Sequence, residues 1–217
     1  MTDGDAHTVT APPPEPDVAP ARLLVVLGAA GALAGLLLVL AYGLTLPTIE
    51  ANKARALQEA VREVLKAPER YDTLYVVNGA LAASPPAAAD PRRIEQVYLG
   101  YGPNDRRIGF AIVAEDAGFQ DVVRLIFGYD PKTRQLLGIK VLESKETPGL
   151  GDKIEKDTTF VGQFDGARPP LVGVKKGKRT NPSQVDMITG ATISSRAVIR
   201  IVNRALERLG PLVEAYP

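Results

Sequence analysis

The chain has no cysteine and no tryptophan, and its one histidine, His7, lies in a proline-rich N-terminal stretch. Without thiols there is no disulfide, no thiolate-ligated iron–sulfur cluster and no cysteine zinc site. The compartment stays open, because a thiol-free chain survives on either side of a membrane. Aromatic residues are few, seven Tyr and five Phe, so there is no sign of a base-stacking platform. Lys and Arg total 26 against 25 Asp and Glu, a net charge of +1 that gives no electrostatic reason to expect a nucleic-acid partner. A glycine-rich βαβ dinucleotide signature is also missing, so direct NAD binding is not expected.

What is present divides by composition. Residues 1–21 carry five prolines among small and acidic residues, a mixture that buries too little apolar surface to offset chain entropy and reads as a disordered tail. From Leu23 to Leu46 there are 24 residues without a charge. At 1.5 Å per residue such a helix is about 36 Å long, enough for a hydrocarbon core of about 30 Å. Residues 22–46 are therefore expected to form a single transmembrane helix. A cleaved signal peptide usually has a shorter apolar core and a basic leader, and a buried core helix usually keeps a polar face. Residues 47–66 then show helical periodicity through Ile49, Ala54, Leu57, Val61, Val64 and Leu65, with Thr48 as a candidate cap. This segment reads as a stalk from the membrane into a domain spanning 67–217.

Within that domain, Ala67–Arg93 is rich in Pro and Ala and reads as a surface loop. Strands are expected at 97–101, 108–114, 122–129 and 136–142, the last two joined as a hairpin by the turn Asp130-Pro131-Lys132-Thr133-Arg134. A final helix is expected from Ser194 to Leu209, stopped by Gly210 and Pro211. The fold class is α+β, an antiparallel sheet with packed helices.

Two segments carry chemistry. The first is Asp186-Met187-Ile188-Thr189-Gly190-Ala191-Thr192-Ile193-Ser194-Ser195. A short glycine-containing turn feeds a helix N-terminus, where unpaired N–H groups and the helix dipole favour a phosphate. Gly190 and Ala191 leave room for a bulky group, and Thr192 offers a hydroxyl there. On the residues alone an ordinary N-cap is the better reading, with Thr192 or Ser194 capping the helix and Gly190 making the turn. The second segment, Glu146-Thr147-Pro148-Gly149-Leu150-Gly151, is a Pro- and Gly-rich turn able to bring backbone close to a flat ligand. Taken alone it also suits a plain loop. Lys175, Lys176, Lys178 and Arg179 form a basic cluster that reads as a solvated loop.

Asp-x-x-Thr-Gly-Ala-Thr resembles the flavin-attachment motif of the FMN-binding domain family, whose members include the G component of the Rnf electron transport complex and the C component of the sodium-pumping NADH:quinone reductase. Glu146–Gly151 is similar to a stretch of the same family that lines the flavin ring. The resemblance implies covalent FMN, joined by a phosphoester to Thr192 by a flavin transferase that takes it from FAD. Asp186 would assist that transfer, and Thr189, Gly190 and Ala191 would fill the motif. Glu146, Thr147, Gly149, Leu150 and Gly151 would lie against the ring. The Gly-Asp-Lys-Ile-Glu continuation is closer to the Rnf member of the family. The function implied is an electron-relay component of the ion-translocating Rnf complex, between ferredoxin and NAD, not catalytic alone. Its partners would be the other membrane subunits of that complex. The location implied is the bacterial inner membrane, with the domain on the extracytoplasmic side. The alternatives are the quinone-reductase component and a membrane-tethered flavin sensor.

Overall fold

A computed structural model describes residues 19–86, 90 and 94–217. The expected disordered tail falls outside the described residues except for 19–21. The described residues divide into two compact units, with the boundary between Asn52 and Lys53.

In the first unit the apolar run is helical, as part of α1 (Pro20–Val64). Its 18-residue window of greatest mean hydropathy, 2.7, has none of its residues buried. A soluble core helix would bury that surface, so the segment is a candidate membrane span by length and exposure. The helix runs through Pro47, so Thr48 is not a cap. Thr45 donates its hydroxyl to Ala41 O at 2.9 Å, one turn back along the same helix.

The second unit is built on a six-stranded antiparallel sheet in the order β2-β1-β3-β4-β5-β6. The strands are β1 (Arg70–Val77), β2 (Ala80–Ala82), β3 (Gln96–Tyr101), β4 (Arg107–Ala117), β5 (Val122–Asp130) and β6 (Gln135–Glu143). Side chains alternate between two covered faces. Leu74, Val97, Leu99, Phe110, Ile112, Leu125 and Phe127 face the main core with helix α4 (Thr192–Ala215). Tyr98, Ala111 and Ile126 face Ala60, Val61, Val64 and Leu65, at and just beyond the end of α1. Both faces are buried, which explains why β3 and β5 read as continuous apolar runs without polar alternation.

Two further expectations are corrected. The stretch expected to be a loop holds β1 and β2, paired antiparallel from Tyr75↔Ala82 to Val77↔Ala80. Pro and Ala further along it masked the alternation of Arg70–Val77. The last helix does not stop at Leu209 but continues to Ala215 with Pro211 inside it. Leu209 and Val213 are buried to within 1%, and that packing outweighs the local stop signal. A second, two-stranded parallel sheet, β7 (Val172–Val174) with β8 (Gln184–Asp186), was not foreseen. Between β6 and β7 lie the short helices α2 (Lys153–Lys156) and α3 (Thr158–Gly162).

Candidate functional site at the start of helix α4

Helix α4 begins at Thr192, and its N-cap residue is Ala191, without a side-chain cap. The capping alternative therefore does not hold. Ser194 Oγ instead donates to Glu146 Oε2 at 2.6 Å. Ser195 Oγ donates to Ala191 O at 2.9 Å and accepts from Ile188 N at 3.1 Å, closing the turn from inside. Thr192 is half-buried, and among the described residues its hydroxyl has no hydrogen-bond partner. The amides of Thr192, Ile193 and Ser194 likewise meet no protein acceptor there, as the first turn of an uncapped helix requires. Thr189 and Gly190 are exposed, Ala191 is buried, and Gly190 takes φ +86°, a conformation that a side chain strains.

The second motif meets the first through Glu146, which is 5% exposed. Its Oε1 accepts from Phe119 N at 2.7 Å and Gln120 N at 3.2 Å, in the turn between β4 and β5. Its Oε2 takes the Ser194 hydroxyl. One carboxylate thus joins three segments: the 118–121 turn, the Glu146–Gly151 loop and the first turn of α4. Gly151 is buried, and a Cβ there would lie 2.6 Å from Glu146 Oε2 and 2.8 Å from Glu146 Cβ. Thr147 is half-buried, and its carbonyl accepts from Leu150 N and Asp152 N. Gly149 adopts φ +78° at the corner of the turn. Leu150 is 49% exposed, and its Cδ2 would be 3.5 Å from a Cβ on Gly190. The two motifs are therefore in direct contact.

Asp186 stands apart from that contact. Its carboxylate accepts from Lys178 N and Arg179 N, both at 3.1 Å, and so shapes the basic loop. Its backbone is held by the Gln163 amide at 2.7 and 3.1 Å. A cleft of about 170 Å³ beside it is lined by Thr159, Gln163, Lys176, Arg179 and Asp186. Lys175, Lys176 and Lys178 are exposed. A larger groove of about 790 Å³, between α4 and strands β3 and β4, includes none of the motif residues.

Sequence reasoning missed Gly118, Phe119 and Gln120. Phe119 is 61% exposed although apolar. The only signal available was an aromatic residue after a glycine in a hairpin turn, which is too common a pattern to single out. Together the site offers a free hydroxyl, three unpaired helix amides and the exposed apolar side chains of Phe119, Leu150 and Ile193. That donor set suits a phosphate joined to a flat apolar ring.

Comparison with known proteins defines the class. A family model described as an FMN-binding domain matches residues 118–207, beginning at the turn that caps Glu146. Relatives match over most of the chain. The G component of the ion-translocating oxidoreductase complex of Cronobacter sakazakii is 34% identical, over 80% of this chain and 84% of its own length. Its namesake in Methanosarcina acetivorans is 28% identical, over 86% and 92%. The G component of the Na(+)-translocating ferredoxin:NAD(+) oxidoreductase complex of Acetobacterium woodii is 28% identical, over 86% and 89%. The chain belongs to the family of G components of ion-translocating oxidoreductase complexes. Among solved structures, the C component of the Na(+)-translocating NADH-quinone reductase of Parabacteroides distasonis aligns with a TM-score of 0.60. It covers 77% of this chain and 96% of its own at 17% identity, a likeness of fold alone.

Proposed function

We propose that this protein is the electron-relay component of a membrane-bound complex coupling electron flow between ferredoxin and NAD to ion transport. FMN is joined through a phosphoester to Thr192. The observation that carries the reading is the Thr192 hydroxyl, free of protein partners among the described residues at the first position of an uncapped helix, beside Ser194 and Gly190, which meet the Glu146–Gly151 loop at Glu146 and Leu150. A phosphoester needs an accessible hydroxyl, and the helix amides stabilise the charge that the phosphate keeps. In the attachment step the Thr192 oxygen bonds to the FMN phosphorus of FAD, AMP leaves, and the hydroxyl proton is lost. A flavin transferase performs it, and Asp186 serves by holding the loop beside the motif.

The attached FMN supplies the redox chemistry, and the protein supplies placement. Phe119, Leu150 and Ile193 offer apolar cover to the ring. Glu146 acts from behind, fixing the three segments against one another, with Gly149 and Gly151 allowing the close turn. The proposed partners are the other membrane subunits of the complex. The proposed location is the bacterial inner membrane, with the N-terminus inside and the domain outside.

Intact mass tests the reading. Protein made together with its flavin transferase gains the mass of one FMN less water and fluoresces on a denaturing gel. Thr192→Val removes the hydroxyl and keeps the shape, so both signals disappear while the thermal transition stays. Covalent flavin persisting in that variant overturns the assignment.

A further inference from the structure

The arginines of α4 point to what holds the attached group. Arg196, Arg200, Arg204 and Arg208 follow at intervals of four, which places them on one stripe of the helix. Three of them pair with two acids of the sheet and its edge. Arg200 Nε and Arg204 Nη1 both donate to Asp116 Oδ2, at 2.9 and 2.6 Å. Arg208 donates through both terminal nitrogens to Glu95. Arg196 is exposed, and among the described residues it has no acidic partner. The residue one turn before it on the same stripe is Thr192.

Helical side chains lean toward the N-terminus, so Arg196 leans over Thr192, with Cβ atoms about 5–6 Å apart. We propose that Arg196 is the counter-ion of the phosphodiester on Thr192, which makes this inference dependent on the reading above. A diester keeps one negative charge and two free oxygens. The guanidinium fork matches two such oxygens, while the amides of the first turn approach along the helix axis. Each arginine of the stripe then has an anionic partner: Glu95 for Arg208, one Asp116 carboxylate shared by Arg200 and Arg204, and the phosphate for Arg196. The buried side of the turn is closed to this role, because Ser194 and Ser195 are committed to Glu146, Ala191 and Ile188.

The test uses the full chain in detergent, made with its flavin transferase, and compares Arg196→Gln, Arg196→Lys, Arg204→Gln and Thr192→Val. Attachment is followed by intact mass, and the loaded proteins by phosphorus NMR. In Arg196→Gln the attachment rate falls about five-fold, the loss of an ion pair near 1 kcal/mol. Its phosphorus resonance moves toward the position seen when the loaded wild type is unfolded. Arg196→Lys recovers part of both effects, and Arg204→Gln changes neither. If Arg196→Gln fails to load, recovery by Arg196→Lys supports the proposal and failure of both overturns it. A wild-type resonance in loaded Arg196→Gln overturns it whatever the rate does, and so does an equal shift in Arg204→Gln. Flavin in Thr192→Val sinks the underlying reading instead, and mass alone reports it.

Discussion

Glu146 is the residue on which the site's geometry depends, and its surroundings set what each substitution costs. Three donors converge on a carboxylate that is 5% exposed: Phe119 N, Gln120 N and Ser194 Oγ. Glu146→Gln keeps the shape and can keep the two amides on its oxygen, but its NH₂ group forces the Ser194 hydroxyl to turn and accept, and the charge behind all three bonds is lost. The expected loss is about 2 kcal/mol, read as a lower thermal transition of the solubilised chain. Ser194→Ala deletes one bond without creating a clash and is expected to lose about 1 kcal/mol. Gly151→Ala drives a methyl into Glu146 and is expected to be the worst of the three. Thr192→Val, which touches none of these bonds, leaves the transition unmoved. The contact between the two motifs was legible at residue level only through the resemblance. Composition and spacing favoured a cap over an attachment point at Thr192, and nothing in the sequence says that Glu146 points inward. Its role depends on the 118–121 turn, which only the folded sheet brings to it.

At the scale of elements, α4 ties the site to the sheet, and its charges make stability depend on pH. The Arg200 guanidinium, hydrogen-bonded to Asp116, holds that carboxyl below its ordinary range, helped by the Ala117 amide. A depressed folded value means that the stabilisation is complete above the unfolded value of about 3.9 and is lost as pH falls through the folded one. Asp116→Asn is therefore expected to cost about 1 kcal/mol at neutral pH, after discount for solvent screening. The gap between the two proteins should close in acid below the usual carboxylate range. A gap that stays constant well below that range sinks the assignment. The C-terminal turn of α4 allows a second check at this scale. Val213 is 1% exposed, and Tyr216 meets Phe110 edge to face with ring centroids 6.2 Å apart. Ending the chain after Leu209, where Gly210 and Pro211 suggest a stop, should therefore lower the thermal transition markedly. A local reading failed here because Pro211 reports only its own missing N–H, whereas Val213 reports the core. It failed at β7 and β8 for a different reason. Three residues give no measurable periodicity, and their pairing is made by the loops around them.

For the whole molecule, an apolar span and a folded unit leave one question with conflicting signals, which is the side of the membrane the domain occupies. Basic residues flanking a span favour the cytoplasm. Only Arg22 precedes the apolar run, whereas Lys53, Arg55, Arg62 and Lys66 follow it. A simple count would put the domain inside. Lys53 and Lys66 are already engaged in the folded unit. Lys53 Nζ lies 3.1 Å from Glu143, and Lys66 Nζ lies 2.7 Å from Asp165. Charge bias is also read mainly on short loops, and large domains translocate largely regardless of it. Residues 53–217 form such a domain, so the bias does not decide against the proposed extracytoplasmic placement. Protease added to cells with an opened outer envelope should digest the domain and leave a membrane-bound fragment that carries the N-terminus. A tag fused at Met1 should stay protected until the inner membrane is lysed. A domain that resists protease under those conditions, with an N-terminal tag that is cut, reverses the topology and would require the flavin to be attached and used on the cytoplasmic face.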